Sequence, residues 1–176
     1  MLDFRSLWQQ ALPFERFVAA SADQHRGLWE GVHRLAHVPV WAEMSFPPGE
    51  VRHLLVLAED WCGDASNTVP VLARWAEAVD GLSLRILRRD EHPEVMNRYL
   101  TNGSRSIPIV IALDEDFNEL GYWGPRPREL QAWVMANKDT MDKAERYKQV
   151  RRWYARDKGE TAIREVLEAM GVKAEV

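Results

Sequence analysis

Apolar positions along this chain change rhythm several times, and each change marks an expected element. Leu2, Leu7, Trp8, Ala11 and Leu12 predict a short amphipathic helix over residues 2–12, ended near Pro13. Leu28, Val32 and Leu35, with Ala36 beside them, recur at helix spacing and predict a second helix over about 21–37. Residues 38–49 hold Pro39, Pro47 and Pro48 and read as a loop or linker. The run from His53 to Ala58, HLLVLA, is short and apolar throughout, the pattern of a buried parallel strand. A turn follows, and Val69, Leu72, Ala73, Ala76 and Val79 then form one stripe of a helix over 64–79, with Pro70 placed to kink it.

Gly81 breaks that helix, and residues 82–87, LSLRIL, predict a second strand. Pro93 suits the entry of a short helix reaching Leu100, which Asn102-Gly103 stops. A strongly apolar strand is expected over 107–113, then a turn at Asp114-Glu115-Asp116 and a last strand over 119–123. The order strand, helix, strand, helix, strand, strand predicts an α/β fold, a central sheet with helices against it. Beyond Gly124, helices are expected through Trp133, Val134 and Met135, over 141–156, and around Ile163, Val166, Leu167 and Met170, closed by Gly171. The chain thus divides into a helical extension (1–49), a core (50–135) and a second helical extension (136–176).

Composition narrows the function classes. The chain has 176 residues, 46% of them hydrophobic, enough to bury a sizeable core. Its eight tryptophans suit packing with a polar edge, a ligand cleft or a subunit interface. Net charge is −4, which does not suit a nucleic-acid surface. The basic run of Lys143, Arg146, Lys148, Arg151, Arg152, Arg156 and Lys158 is interleaved with Asp142, Glu145 and Asp157, as on a solvated helix face. No stretch is long and apolar enough to predict a membrane span. With no secretory pattern at the start and one cysteine in all, a reducing cytoplasm is the expected compartment.

That cysteine lies in Glu59-Asp60-Trp61-Cys62-Gly63-Asp64-Ala65, where a buried strand hands over to a helix. Free amide hydrogens and the positive helix end favour a thiolate there. Glu59, Asp60 and Asp64 oppose it if ionised nearby, and the sequence leaves that balance open. Gly63 lets backbone approach the sulfur, and Trp61 offers a substrate an apolar platform. A lone cysteine also serves as a small buried hydrophobe.

Trp61-Cys62-Gly63-Asp64-Ala65 resembles the thioredoxin active-site run Trp-Cys-Gly-Pro-Cys. Pro70 falls where that family has its helix-kinking proline. Ser106-Ile107-Pro108 before an apolar strand resembles its cis-proline segment, and Asn118-Glu119-Leu120-Gly121 its last turn and strand. Over residues 50–135 the chain is similar to the thioredoxin-like superfamily, in particular to a bacterial branch with a Trp-Cys-Gly-Asp motif. The resemblance implies a thioredoxin-like central mixed sheet flanked by helices, with added N- and C-terminal helices. It makes Cys62 the attacking cysteine. It places substrate at Trp61, Gly63, Asp64, Ile107 and Pro108, with the Ile107 backbone bonding an extended substrate. Arg105 is close enough in sequence to face the same cleft. The resolving cysteine is replaced by Ala65 and the buried proton-transfer acid by Val56, so the resemblance does not extend to a dithiol cycle.

Two function classes follow. One is a monothiol oxidoreductase that attacks disulfides or peroxides through Cys62 and is released by an external thiol such as glutathione, with no bound cofactor. The other is a redox-inactive binding or adaptor protein on the same scaffold. The partner would be a protein or a low-molecular-weight thiol or disulfide, with no nucleic acid and no membrane. The aromatic terminal helices suit a homodimer, a lid over Cys62 or an enlarged core. His33 and His37, four apart, lack the glutamate of a zinc-protease helix, and no metal site is expected. Asp114, Asp116 and Asn118 suit a solvated turn better than a calcium loop.

Overall fold

A computed structural model describes residues 1–174. Its five strands are β1 (Leu12–Pro13), β2 (Arg52–Ala58), β3 (Leu82–Arg88), β4 (Ile109–Leu113) and β5 (Glu119–Trp123). They lie in the order β1-β3-β2-β4-β5; β2 and β3 run parallel and all other pairs antiparallel. The sheet is therefore mixed, and helices cover both faces. Strand alternation divides the core in two. Leu54, Val56 and Ala58 of β2 join Val110 and Ala112 of β4 on one face. Leu55 and Leu57 join Ile109, Ile111 and Leu113 on the other. Burial on both faces is why β2 and β4 read as unbroken apolar runs.

The first face is covered by α3 (Asp23–Leu35), α5 (Gly63–Ala78) and α9 (Glu160–Ala169); the second by α1 (Phe4–Gln10) and α6 (Pro93–Met96). Between them α2 (Phe14–Ala19) and α4 (Val40–Met44) contribute Phe17, Val18 and Ala42 to the first core. The helices α7 (Arg128–Asn137) and α8 (Lys143–Asp157) share a smaller cluster of Leu130, Val134 and Tyr154. No helix among the described residues is long and apolar enough to cross a membrane.

Several sequence expectations are corrected. Residues 38–49 are not all loop: Pro39, with the extended angles of an N-cap, opens α4. The Trp75 indole donates to the Ala42 carbonyl at 2.9 Å and fixes α4 on α5. Leu12 and Pro13 leave helix α1 and pair with Ile86 and Arg85 as an edge strand, a position where proline's missing donor does no harm. The helix begun at Pro93 stops at Met96, short of Leu100. Strand β4 begins at Ile109, because Pro108 has no amide to give the ladder. Most informative is α3. Of its Leu28-Val32-Leu35 stripe, Leu28 is 55% and Leu35 80% exposed, Val32 packs part-buried against the core, and Trp29 is the residue sealed within it.

The tryptophans bear out the polar-edge reading. Trp29 donates to the Asp60 carbonyl at 2.9 Å and Trp123 to Glu165 at 2.8 Å. Glu165 is buried and also accepts from the Arg128 amide at 3.1 Å, so one α9 carboxylate joins β5 to the start of α7. Glu165→Ala leaves both donors unsatisfied and should cost about 3 kcal/mol in urea unfolding, where an exposed glutamate such as Glu145 replaced by alanine should cost under about 0.5 kcal/mol.

Candidate active site at Cys62

Cys62 ends the turn after β2 and is the N-cap of α5, with extended angles that let Ser66 donate back to its carbonyl at 2.9 Å. The half-buried sulfur sits where both cores meet. Its thiol donates to the Ile107 carbonyl at 3.6 Å, and the following Ile107–Pro108 bond is cis. Trp61 is exposed beside it, with the Arg89 guanidinium 5.0 Å from its ring centre. Trp61, Cys62, Gly63 and Asp64 line a cleft of about 420 Å³, closed on the far side by Tyr147, Val150 and Arg151 of α8. Ile107 and Pro108 are buried behind the sulfur rather than in the cleft wall.

The three acidic neighbours have separate fates. Glu59 and Asp60 are buried and turned away toward Arg88, whose Nη1 lies 3.3 Å from Glu59 and 2.9 Å from Asp60. Asp60 also takes His25 Nδ1 at 2.7 Å and the Ala22 amide at 3.1 Å. Burial alone would push the Asp60 carboxyl up; the bonds from His25, Arg88 and Ala22 outweigh it and bring it down to about 2. Asp64 is the acid that stays near the sulfur. Arg126 grips both its oxygens at 3.0 Å, and the Tyr154 hydroxyl donates to it at 2.6 Å. Burial and the Asp64 charge together raise the Tyr154 hydroxyl well above a free tyrosine.

Burial is also the largest influence on Cys62, and it pushes the thiol above its ordinary 9.0. The Ala65 and Asp64 amides at the helix start and the Arg126 charge work downward, while the Asp64 charge works upward. The helix end is therefore felt, but desolvation wins, and at neutral pH the sulfur is mostly thiol.

Of the residues singled out from the sequence, Trp61, Cys62, Gly63 and Asp64 share the cleft, and Ile107 and Pro108 back the sulfur. Arg105 does not line it; its guanidinium is turned to Asp90 at 3.5 Å. The histidines are separated: His25 binds Asp60, His33 lies 2.9 Å from Glu77, and among the described residues no cluster of three His, Cys, Asp or Glu side chains suits a metal. Sequence reasoning missed Arg126, Tyr147, Arg151 and Tyr154 at the site. The one signal for them was Asp64 itself, since an acid in the first turn of a buried helix needs a cation from elsewhere in the chain.

The sequence profile of the thioredoxin family matches residues 41–145. The chain belongs to the thioredoxin family. Its structure is similar over 97% of its length to a Pseudomonas aeruginosa protein of unknown function, solved by crystallography, at TM-score 0.78 and 22% identity, covering 98% of that chain. It is also similar to an HIV epitope-scaffold at TM-score 0.75 and 20% identity, over 97% of this chain and 98% of the other. At such identities these likenesses concern the fold. No curated protein matches the sequence. In this structure Cys62 caps α5 with the cis-Pro108 bond behind it, it is the one cysteine of the chain, and Ala65 and Val56 are both fully buried.

Two measurements test these electrostatics. Asp64→Asn removes the charge that opposes the thiolate and should speed iodoacetamide labelling of Cys62 roughly threefold at pH 8, moving the pH-rate midpoint down; Arg126→Met should move it up. Asp60 gives a different signature. Its folded value lies below its unfolded 3.8, so its contribution is complete above that pH and fades as pH falls from 3.8 toward 2. Wild-type urea stability should drop by about 2 kcal/mol more across that window than Asp60→Asn does.

Proposed function

We propose that this protein is a monothiol member of the thioredoxin family, exchanging disulfides through Cys62 with an external thiol as resolving partner. One observation supports this most: the only cysteine of the chain opens onto a cleft at a helix start, held against the carbonyl that precedes a cis-proline. In the first step the Cys62 thiolate attacks one sulfur of an external disulfide, RS–SR′. The Cys62–S–S–R bond forms as the S–S bond breaks, and R′S⁻ leaves with the electron pair and takes up the proton Cys62 released. An external thiolate then attacks the R sulfur, the mixed disulfide breaks, and Cys62 departs as thiolate and is reprotonated. No cofactor is needed, and glutathione in a reducing cytoplasm is a suitable resolving thiol.

The raised thiol sets the tempo. Little thiolate is present at neutral pH, so attack is slow; once formed, the thiolate is a strong nucleophile and a poor leaving group. The mixed disulfide should therefore persist long enough to isolate. The same raised thiol favours the second reading, a redox-inactive binding protein in which Cys62 is a packing residue.

With a single cysteine, every thiol measurement reports Cys62. Incubation with glutathione disulfide at pH 8.5 should add one glutathionyl group by intact mass, at a rate rising with pH, and added glutathione should remove it. Catalysed interchange between glutathione and a mixed-disulfide substrate should fall at least 100-fold in Cys62→Ser. A native protein that resists both glutathione disulfide and iodoacetamide at pH 9, yet labels once unfolded, would establish the binding reading instead.

A further inference from the structure

Six lysines and arginines stand on α8, against Glu145 and Asp157 as its only acids. Among the described residues no ion pair reaches any of these cations. The two acids are turned to uncharged partners, Glu145 to Gln149 at 2.8 Å and Asp157 to the Thr161 amide at 3.2 Å. Lys148, Arg152 and Arg156, four residues apart, form one exposed row, which repels itself and is not offset within the chain. The chain as a whole carries −4, so α8 is a positive face on a negative molecule.

This face borders the sulfur. Arg151 lines the Cys62 cleft, with Lys148 three residues before it on the same helix and Arg152 next in the chain. The other charged side chains of the lining, Asp64 and Arg126, pair at 3.0 Å and cancel. Around Trp61, Arg89 and Arg105 are matched in number by Asp90 and Glu91. Glu59 and Asp60 are turned away to Arg88. The charge left uncancelled at the cleft is that of α8. In bulk water a unit charge about 7 Å away acts on another by roughly the thermal energy, and low-dielectric walls focus its field. We propose that α8 sets the charge selectivity of Cys62: disulfides that carry carboxylates or other anionic groups react ahead of neutral and cationic ones, with Arg151 the main specificity residue and Lys148 and Arg152 adding to its field. This inference rests on the exchange reading and names the substrate class for it. A bare thiolate repels anions, so the expected ranking is the reverse of its own.

The test uses three methanethiosulfonate probes, carrying a sulfonate, no charge or a trimethylammonium group. The Cys62 thiolate attacks the sulfenyl sulfur of each; Cys62–S–S–R forms, and methanesulfinate leaves with the electron pair. Each rate at pH 8 is divided by that of a free cysteine amide, which removes the probe's own reactivity. The anionic-to-cationic ratio should be about tenfold in about 20 mM salt and fall at least threefold in about 0.5 M salt. Arg151→Glu should bring it to about one, and Lys148→Glu with Arg152→Glu should lower it about threefold. All three positions are exposed, so these variants should fold. Lys173→Glu, the same charge change beyond α9, should leave the ratio unchanged. Dithiodipropionate should likewise exchange faster than cystamine. A wild-type ratio of one or less, no response to salt and to Arg151→Glu, or an equal fall in Lys173→Glu would overturn the inference while exchange itself stands. A clear ranking of the probes beside no reaction with any disulfide would overturn the exchange reading and keep the selectivity. A native protein that reacts with none of the probes would overturn both.

Discussion

Arg88 is the charge around which the Cys62 end of the sheet is organised. It stands at the end of β3, next to the end of β2, and its guanidinium meets both carboxylates that β2 delivers there. The same group lies 4.7 Å from the Phe17 ring centre and reaches the Ala20 carbonyl at 3.4 Å, so α2 is attached too. Asp60 extends the network to His25 and to the Ala22 amide just before α3. Buried carboxylates of this kind are tolerated only when fully paired, and removing one partner costs far more than the pair contributes. The N-terminal helices are therefore bound to the thioredoxin core by the segment that ends in Cys62.

This arrangement also settles a competition that is undecidable from residue order. Glu59, Asp60 and Asp64 all lie within three residues of Cys62, and sequence distance gives each an equal claim to suppress the thiolate. In the fold, strand alternation and the turn send the first two to Arg88, and only Asp64 remains as a charge acting on the sulfur. Its effect is then blunted by Arg126, some sixty residues away in sequence. What finally holds the thiol up is not charge but the closeness of both cores, a packing property with no local sequence signature.

The sheet was legible because its central strands are buried on both faces and so write continuous apolar runs; Cys62 and Pro108 were legible because their neighbours are short, ordered motifs. What escaped depended on tertiary choice. Helix periodicity on α3 was read correctly as helix, but it does not say which side chain is sealed in the core. One fully buried indole that also bonds the Asp60 carbonyl takes the core position while Leu28 and Leu35 stay exposed. Edge strand β1 is two residues long and carries a proline, so no periodicity could announce it. Arg151 belongs to the charged run over 143–158, where a solvated helix face was the natural reading; Tyr154 was one of several terminal aromatics open to more than one use, and Arg126 stands in the loop before α7 with no local pattern. Most of that face is solvated, and only the few side chains turned toward α5 are not.

The C-terminal helices thus change what a thioredoxin site can be. Where a cysteine at a helix start is open on several sides, a broad protein surface can approach it. Here α8 stands across the cleft, and its Tyr154 is bonded to the carboxylate two residues after the cysteine. Because Tyr154 is buried and its hydroxyl is held far from ionisation, this bond persists across the physiological pH range and keeps α8 in place. Under the proposed exchange function, a fixed wall favours a small disulfide over a broad protein surface. The sulfur behind that wall is desolvated by the two cores, which lifts its pKa. The raised thiol and the walled cleft thus have separate structural causes, the first in the packing of the two cores and the second in the position of α8.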